Sequence, residues 1–517
     1  MKSLFTSFLT SLALVSCATG EQLVLSEQEW PADAGNPPQS GHATPVLTPR
    51  PEVPIVDVGL PASTDAGAAP SLDAGPGILL RTVTDLNRAI DGALDGAHFV
   101  LANGSYRDVL LVMAKSGMAV RAETPGGVSF TGSSRVLITG DRNRLSGFQF
   151  LSGAVNGNAI LEVSGDSNTL EHLNIQGAAA KTWIHIAAGS TDNEILYCNI
   201  EDKPPTASII GAIIQISTDA AVVGRHRIRR SSFRNIRGPS GDFGNEPIRI
   251  GLSTERTNVS RSVVEDCYFD NVGGGDNETV SVKSAENAVR YNTFTNNPAG
   301  MVVFRHGNRN VAYGNFFLNN SGGIRIKEGN GHAVYNNYFE TGSAAALVLT
   351  FVPEYPLDNL SFVHNTFTQM GGISLGGSGP TRVRFVNNIF QRATGNIFAS
   401  ATGNEVWTGN LYQGTLGLAA ATGLRSVDPK LAPNPVGYRG PSLGSPAIDG
   451  ATDAVTTIPA LLGLDNDPAV LLDIGRRSRP AQNREKDVGC DEFGAQPAVK
   501  RPLSLGDVGP SYLAPRP

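Results

Sequence analysis

The sequence contains little cysteine, with four in 517 residues. Beyond Cys17 only three remain, and Cys198 and Cys267 hold equivalent positions of a repeated pattern with Ser231 between them. If the repeats stack as strands, these two cysteines lie two strand spacings apart, roughly 9.6 Å, which is farther than a disulfide reaches. Disulfides are therefore not the stabilising device, and we expect burial of stacked Phe, Ile and Val side chains to take that role.

Long apolar runs and strong net charge are also missing. Beyond residues 4–15 no apolar stretch is long enough to span a bilayer. The formal net charge of -6 excludes a general nucleic-acid binder. A basic surface on this chain must then be a local exception.

The N-terminus resembles a bacterial lipoprotein signal peptide over residues 1–17. One lysine precedes the apolar run, and the sequence Leu14-Val15-Ser16-Cys17 would make Cys17 the lipid-bearing first residue of the mature chain. An ordinary secretory signal cleaved nearby is the alternative. Both predict export, and the first predicts an outer-membrane lipoprotein, periplasmic or at the cell surface, that contacts the membrane only through a lipid anchor on Cys17.

Composition divides the rest of the chain into three parts. Residues 18–77 are rich in Pro, Ala, Asp and Gly and cannot bury a core, which predicts a disordered linker. Residues 78–430 are long enough for one large solenoid domain, and residues 431–517, where the repeat fades, predict a C-terminal cap and tail. Within residues 81–94, Val83, Leu86, Ile90 and Leu94 follow helical spacing after Thr84 as a cap. They predict an amphipathic N-terminal capping helix over the open first coil.

A short motif that closes on a large apolar residue recurs through the solenoid domain. Most closing residues follow one another at intervals in the low to middle twenties, the period of a solenoid coil. Within each unit the apolar residues alternate over a few positions, as in a strand. These observations predict an all-β chain folded as a parallel β-helix. The closing residues are Phe150, Ile175, Ile200, Phe233, Phe269, Phe294, Phe317, Phe339, Phe367, Phe390 and Tyr412.

A column of asparagines supports this interpretation. Each lies two residues before a closing residue, where stacked side-chain amides can hydrogen-bond from coil to coil. Asparagine also tolerates the left-handed backbone conformation that a tight corner needs. We expect an asparagine ladder formed by Asn292, Asn315, Asn337, Asn365, Asn388 and Asn410.

Three successive repeats each carry one cation, Lys283, Arg305 and Arg325, just after the acidic residues Asp276 and Glu278. Apolar neighbours take the inward positions of these strands, so alternation places the cations on the outer face. One strand spacing is roughly 4.8 Å, so cations on adjacent coils repel one another unless a polyanion lies across them. We therefore expect an acidic polysaccharide as the partner.

The acidic residues beside this column suggest a cation site. Glu278 shares the parity of the inward valines, so the backbone must turn between Glu278 and Thr279 if Glu278 is to face solvent beside Lys283. A carboxylate at a flexible corner suits Ca2+, which takes several oxygen ligands. One coil earlier, Asn245 and Glu246 offer further ligands.

Several segments share their sequence and order with a known family. They are Leu101-Ala102-Asn103-Gly104-Ser105-Tyr106, Asn245-Glu246-Pro247-Ile248-Arg249-Ile250-Gly251, Glu278 through Lys283-Ser284, Phe304-Arg305-His306-Gly307, Gly314-Asn315-Phe316-Phe317, Gly322-Gly323-Ile324-Arg325-Ile326 and Asn336-Asn337-Tyr338-Phe339. This set resembles polysaccharide lyase family 6, which includes alginate lyases and chondroitinase B, and the similarity extends to most of the coils, over residues 78–494. The resemblance implies a right-handed parallel β-helix that cleaves uronic-acid polymers by β-elimination.

The resemblance also implies two catalytic roles. Lys283 would be the base that removes the C5 proton of the uronate, and Arg305 would act at the departing glycosidic oxygen. A cation on the uronate carboxylate stabilises the charge that develops when this proton leaves. Because a guanidinium is almost never deprotonated in proteins, we expect Arg305 to stabilise charge while water, a tyrosine or His306 delivers the proton.

The family's calcium ligands are an asparagine and two acidic residues, which fall here on Asn245, Asp276 and Glu278. Asp276 stands where glutamate is usual, which shortens one ligand arm. Glu246, next to the asparagine, is an alternative ligand.

Four further residues are predicted to bind substrate. Arg249 and Arg325 face outward and suit substrate carboxylates, with structural ion pairing as the alternative. His306 and His332 are the other two, although strand parity turns His306 inward and His332 is equally suited to capping a turn.

The resulting hypothesis is a calcium-dependent alginate lyase. A dermatan sulfate lyase of the same family is an enzymatic alternative, and a non-catalytic β-helix that binds acidic polysaccharide is another. A pectin-type hydrolase needs paired carboxylates across the scissile bond, whereas cations dominate this cleft.

Overall fold

The computed structural model describes residues 77–156, 159–238, 244–452, 471–480, 485–494 and 501–513, except for the side chains of residues 207 and 274–277. The predicted signal peptide, with Cys17, and all but the last residue of the predicted linker lie outside these ranges. Within them, no helix combines the length and apolarity that crossing a membrane requires.

The predicted all-β parallel β-helix is confirmed. Each coil contributes three short strands, which pair in parallel with the equivalent strands of neighbouring coils to form three walls. The first wall contains Ile78–Leu80, His98–Leu101, Ala119–Ala122, Arg144–Ser146, Thr169–Glu171, Glu194–Leu196, Arg227–Arg229, Val263–Glu265, Ala288–Arg290, Val311–Tyr313, Gly329–Asn330, Ala333–Tyr335, Leu357–Val363, Thr381–Val386 and Glu405–Thr408.

The second wall contains Gly104–Arg107, Val128–Thr131, Phe148–Leu151, Asn174–Gln176, Asn199–Glu201, Ser232–Ile236, the first part of Tyr268–Val282, Thr293–Thr295, Phe316–Leu318, Tyr338–Glu340, Thr366–Thr368, Ile389–Asn396, Asn410–Thr415 and Leu424–Ser426. The third wall contains Leu110–Met113, Arg135–Ile138, Leu161–Val163, Ile184–Ile186, Ile214–Ile216, Ile248–Ile250, the last part of Tyr268–Val282, Ala299–Phe304, Ile324–Ile326, Leu347–Leu349, Ile373–Ser374 and Phe398–Ser400. Outside the walls lie the pairs Ala154–Val155 with Ala179–Ala180 and Leu431–Pro433 with Arg439–Pro441, and the 3-10 turns Ala207–Ile209, Ser253–Glu255 and Leu505–Asp507.

The closing residues form one inward column of the second wall, as the repeat predicts. From Phe233 to Phe390 their rings stack coil on coil, with centroids 4.6 to 5.3 Å apart. Cys198, Ser231 and Cys267 occupy one further column, and both cysteines are free and buried. Aromatic stacking and apolar burial therefore hold the coils together along the axis.

The asparagine ladder is confirmed, with one correction. Each ladder Oδ1 accepts from the backbone N–H and the side-chain amide of the preceding ladder residue, as Asn315 does from Asn292 at 3.0 Å. The left-handed residue, however, is the one before each ladder asparagine, for example Tyr291 with φ 56° and Asn336 with φ 54°. Asparagine is selected here for its buried amide bonds, while its neighbour makes the corner.

A second ladder, which the sequence did not predict, runs along another corner of the coils. It has two segments, and the last residue of each segment is a histidine. Asn193 N–H donates to His226 Nδ1 at 3.2 Å, and Asn310 N–H donates to His332 Nδ1 at 3.1 Å. An imidazole nitrogen that accepts a backbone N–H carries no proton, so both rings are neutral. Burial lowers the pKa of each of these histidines to about 4.

This ladder predicts a loss of stability in mild acid. An unfolded histidine protonates near pH 6.5 and the folded ones near 4, so the unfolded state binds more protons in this window. Stability then falls as pH drops from 6.5 to 4, by roughly 3 kcal/mol for each histidine. Urea unfolding of the variant His226→Asn/His332→Asn, which keeps the ladder acceptors, should show a clearly smaller loss than wild type; an equal loss in both would contradict the assignment.

The capping helix is confirmed as Val83–Asp91. Its cap is Thr82 rather than the predicted Thr84, because the Thr82 side chain accepts the Asp85 N–H. Gly92 ends the helix, so Leu94 lies beyond it and is 84% exposed instead of facing the first coil.

The described residues of 431–517, predicted as a C-terminal cap and tail, run back along the side of the solenoid. Cys490 N–H donates to Thr366, Leu503 N–H to Thr293, and the Tyr512 hydroxyl to the carbonyls of Phe148 and His172. These contacts lie along the second wall and its corner with the first wall.

Candidate active site on the third wall

Two columns of outward side chains run along the third wall. The first lies at the middle of each strand and contains Gln215, Arg249, Ser281, Val303, Arg325 and Val348 in successive coils. The second lies two residues further on and contains Ser217, Gly251, Lys283, Arg305, Lys327 and Thr350. Lys283 and Arg305 therefore lie on the same outer face in adjacent coils, as the sequence predicts.

Arg325 belongs to the first column with Arg249, not to the column of Lys283 and Arg305. Lys327 takes the third place in that column, and the sequence analysis missed it. A usable signal was present: Arg305 and Lys327 each lie ten residues before their ladder asparagine, whereas Arg325 lies twelve before.

Two buried carboxylates lie against the cations. Lys283 Nζ is 3.5 Å from Glu246 Oε1, and Arg249 Nη1 is 2.9 Å from Glu246 Oε2. Arg305 Nη1 donates to Glu278 Oε1 at 2.8 Å, and the Ser281 hydroxyl donates to the other oxygen of Glu278. The cluster thus fixes the Lys283 amine and the Arg305 guanidinium from beneath.

A backbone irregularity places Glu278 in this cluster. Glu278 pairs with Met301 and Val280 pairs with Val302, so Thr279 is one extra residue against its neighbour strand, a β-bulge. In place of the turn predicted between Glu278 and Thr279, the strand Tyr268–Val282 continues through this bulge, and Glu278 is buried instead of facing solvent. The bulge directs the Glu278 carboxylate toward the outward Arg305 although Glu278 shares the parity of the core valines.

The two carboxylates differ in protonation tendency. Burial raises the pKa of Glu246, and the adjacent Glu278 adds to this effect against the attraction of Arg249 and Lys283. Burial also acts to raise the pKa of Glu278, but Arg305 and Lys283 outweigh it and hold that pKa below its usual range. Glu246 and Glu278 are in contact, and their carboxylate oxygens are of the kind that a hard cation takes as ligands.

The predicted metal ligands have the right donor chemistry at this centre. Asn245 Oδ1 is buried without a hydrogen-bond partner, while its amide donates to Arg237 O at 3.0 Å. Together with Glu246 and Glu278 it offers hard oxygen ligands, the kind that Ca2+ takes. The Asp276 side chain lies outside the described residues, and in the ranges that are described no three His, Cys, Asp or Glu side chains converge.

The two predicted histidines are placed differently. His306 follows Arg305, is buried, and its Nδ1 lies 2.8 Å from Glu328 Oε2. His332 lies in the second ladder, with Nδ1 accepting a backbone N–H and Nε2 2.9 Å from the Glu328 carbonyl. Both ring nitrogens of His332 thus serve the corner, and the structure does not bring it to the outer face.

A contact between distant loops borders the cluster and was not predicted. Arg256 stacks on the Tyr355 ring, 4.4 Å from its centroid, and lies 3.7 Å from Glu328. Tyr355 also meets the His306 ring edge-on, with centroids 6.0 Å apart. Because Arg256 and Tyr355 are 99 positions apart, no local pattern in the sequence could indicate this pair.

The fold and the cluster together define a β-solenoid protein with a group of cations and buried carboxylates on one outer wall. A family model described as chondroitinase B matches residues 80–368. The chain therefore belongs to this family, polysaccharide lyase family 6. A comparison with curated proteins finds no match.

Solved structures with the same fold are described as lyases of this family. The alginate lyase AlyGC has a TM-score of 0.68 at 20% identity. The match covers 86% of this chain but only 59% of the length of AlyGC. A mannuronic acid specific lyase from human gut microbiota has a TM-score of 0.59 at 24% identity over 67% of this chain and 89% of its own. An alginate lyase in complex with a trisaccharide has a TM-score of 0.59 at 20% identity over 70% of this chain and 88% of its own.

Proposed function

We propose that this protein cleaves alginate by β-elimination. The observation that carries the proposal is that Lys283 and Arg305 lie on one outer face in adjacent coils, each held by a buried carboxylate. Membership of polysaccharide lyase family 6 supports the reaction class, and the descriptions of similarly folded relatives as alginate lyases support the substrate.

In the proposed reaction the uronate loses its C5 proton to Lys283 Nζ. The electron pair of the C5–H bond forms the C4–C5 double bond, and the bond from C4 to the glycosidic oxygen breaks. The products are an unsaturated uronate and a chain end whose oxygen must acquire a proton. Lys283 acts in its neutral form and ends protonated beside Glu246, which stabilises the ammonium.

Arg305 stabilises the negative charge that develops on the departing oxygen. Its guanidinium is anchored on Glu278, and its own proton stays in place because guanidinium is too weak an acid to release it. Water, a tyrosine or His306 then supplies the proton to the leaving oxygen.

Asn245, Glu246, Asp276 and Glu278 are the residues we propose to hold Ca2+. When bound, Ca2+ supplies positive charge against the uronate carboxylate, which makes the adjacent C5 proton more acidic. The ligand set is supported by the buried, unbonded Asn245 Oδ1 and by the contact between Glu246 and Glu278.

Ultraviolet absorbance of the unsaturated uronate tests the function directly. Incubation with alginate should raise it, whereas hydrolysis or binding alone leaves it unchanged. A dermatan sulfate lyase would show the rise only with dermatan sulfate. A non-catalytic binding protein would bind both polymers, as measured by calorimetry, without any rise in ultraviolet absorbance.

Metal binding predicts a calcium-dependent rise in thermal stability. A ligand that binds only the folded state adds RT ln(1 + [L]/Kd) to stability, so Tm should climb with added Ca2+ and fall back with a chelator. Glu278→Gln, which keeps the volume but removes the negative charge of one ligand, should lose most of this shift. An equal Tm for wild type with Ca2+ and with chelator would contradict the metal site.

A further inference from the structure

A second cluster of polar side chains lies on the third wall, in the coils that precede the lyase cluster. Glu162 and His185 are paired in adjacent coils, each between two buried residues of its strand, so both side chains point outward. Ser217 follows in the next coil, in the same column as Lys283. All three side chains are partly exposed, and the proposed lyase reaction uses none of them.

These side chains are arranged in the order carboxylate, imidazole and hydroxyl. His185 Nε2 lies 3.1 Å from Ser217 Oγ, within hydrogen-bond distance. On the other side of the ring, His185 Nδ1 lies 3.9 Å from Glu162 Oε1. This separation exceeds a hydrogen bond, but contacts between catalytic groups often shorten when substrate binds. A hydroxyl, a base within its reach and a third group that orients the base together make an activated nucleophile.

Arg135 fixes the acidic end of this arrangement. Its Nη2 donates to Glu162 Oε2 at 3.3 Å, and its Nε donates to Ala159 O at 3.1 Å. The carboxylate beside Nδ1 favours the tautomer with the proton on Nδ1, in which Nε2 accepts the Ser217 hydroxyl. Burial lowers the pKa of His185 against the attraction of Glu162 and Glu255, so the imidazole is neutral near pH 7 and can act as a base.

We propose that Glu162, His185 and Ser217 form an esterase site with Ser217 as the nucleophile. Ser217 Oγ attacks the carbonyl carbon of the ester, and its proton passes to His185 Nε2. The bond from that carbon to the alcohol oxygen then breaks, and the alcohol oxygen takes the proton from Nε2. Water, which gives a proton to His185 in its turn, attacks the acyl-serine and releases the carboxylic acid.

The tetrahedral intermediate of this reaction needs an N–H donor for its oxyanion. Gln215 points outward two residues before Ser217, and its side-chain amide carries two N–H groups. One donates to Ile216 O at 3.0 Å, and the other has no acceptor among the residues that the structure describes. Arg249 Nε donates to Gln215 Oε1 at 2.5 Å, which fixes the orientation of the amide. The second N–H of Gln215 is thus the oxyanion donor of this site.

The position of the site indicates an ester that the polysaccharide itself carries. Ser217 lies two coils before Lys283 in the same column, which is roughly 9.6 Å along the solenoid. A polymer bound at the lyase cluster can therefore extend past Ser217 on the same face. We expect the substrate to be an acyl ester of a sugar hydroxyl. This choice of ester rests on the proposed function, whereas the esterase chemistry does not.

Covalent labelling of the whole chain tests the nucleophile. A fluorophosphonate forms a stable bond to an activated serine with loss of fluoride, and we expect mass spectrometry to locate the label on Ser217. The label should be absent in Ser217→Ala. The labelling rate should fall by about 10²-fold in His185→Gln, which keeps the hydroxyl but removes the base. Ser164→Ala, in the same column two coils earlier, is the matched control and should be labelled as wild type is.

Ester hydrolysis measures the activity itself. The probes are p-nitrophenyl acetate and chemically acetylated alginate, from which released acetate is quantified. Ser217→Ala and His185→Gln should each lower both rates by about 10²-fold or more, with circular dichroism as the check on folding. Ser217→Ala should still form unsaturated uronate from unmodified alginate at the rate of wild type.

The results distinguish the esterase site from the proposed lyase. If Ser217 is not labelled and wild type hydrolyses neither ester faster than Ser217→Ala does, the esterase site is wrong. If p-nitrophenyl acetate is hydrolysed but acetylated alginate releases no acetate, the sugar ester is wrong. If wild type is labelled and hydrolyses esters but forms no unsaturated product from any uronate polymer, the proposed function is wrong and the esterase site stands.

Discussion

Replacing Lys283 by alanine should abolish formation of the unsaturated uronate while polymer binding stays measurable. Removal of a positioned general base lowers kcat by about 10²- to 10⁴-fold. Arg249, Arg305 and Arg325 remain on the wall and continue to attract the polyanion. The measurement is the initial rate of increase in ultraviolet absorbance with alginate as substrate. Calorimetric titration of the same variant with alginate measures polymer binding.

Lys283→Arg separates the base from its charge. The guanidinium keeps a cation beside Glu246 but cannot accept the C5 proton, because it does not lose its own. We therefore expect it to be as inactive as Lys283→Ala, and to bind polymer at least as well. Activity near wild type in Lys283→Arg would show that the residue contributes charge alone, and the base would have to be sought elsewhere.

Most of the fold could be predicted because its information is local and repeated. From Asn292 to Asn410, each coil places an inward aromatic two residues after a ladder asparagine, as Phe317 follows Asn315, and the structure stacks both columns. The outward direction of Lys283 and Arg305 follows from their buried neighbours in the same strand. The bulge at Thr279 was predictable because Glu278 otherwise points into the core.

What could not be predicted depends on turn length and on contacts between distant residues. Arg325 was aligned with Arg305 because each was the first cation of its repeat, but the corner between strand and ladder fixes the register and selects Lys327. His332 was predicted to bind substrate, but it lies in the buried second ladder. There a histidine takes the place of an asparagine without any change in the local sequence pattern. The C-terminal segment has no period at all, so its path along the solenoid is set by contacts such as that of Tyr512 with Phe148.

Replacing Arg305 by alanine should be the second large effect, a loss of about 10²- to 10³-fold in kcat, the usual result of removing one group that stabilises a developing oxyanion. Arg305→Lys distinguishes two roles for the residue. If Arg305 donated its proton to the leaving oxygen, lysine, the stronger acid, would retain turnover. If it stabilises charge through a planar guanidinium fork held by Glu278 at 2.8 Å, the compact lysine ammonium cannot reproduce that geometry.

We expect Arg305→Lys to lose at least tenfold in kcat with little change in KM, because the missing contact forms in the transition state. Glu278→Gln should lower kcat as well, since it loosens the anchored edge of the guanidinium. Arg384→Lys, on the first wall where Arg384 donates to Asn359 at 2.6 Å, is the matched control and should leave kcat unchanged. Near-normal turnover in Arg305→Lys would rule out charge stabilisation by the guanidinium fork. It would indicate instead that the residue at position 305 donates the proton to the leaving oxygen.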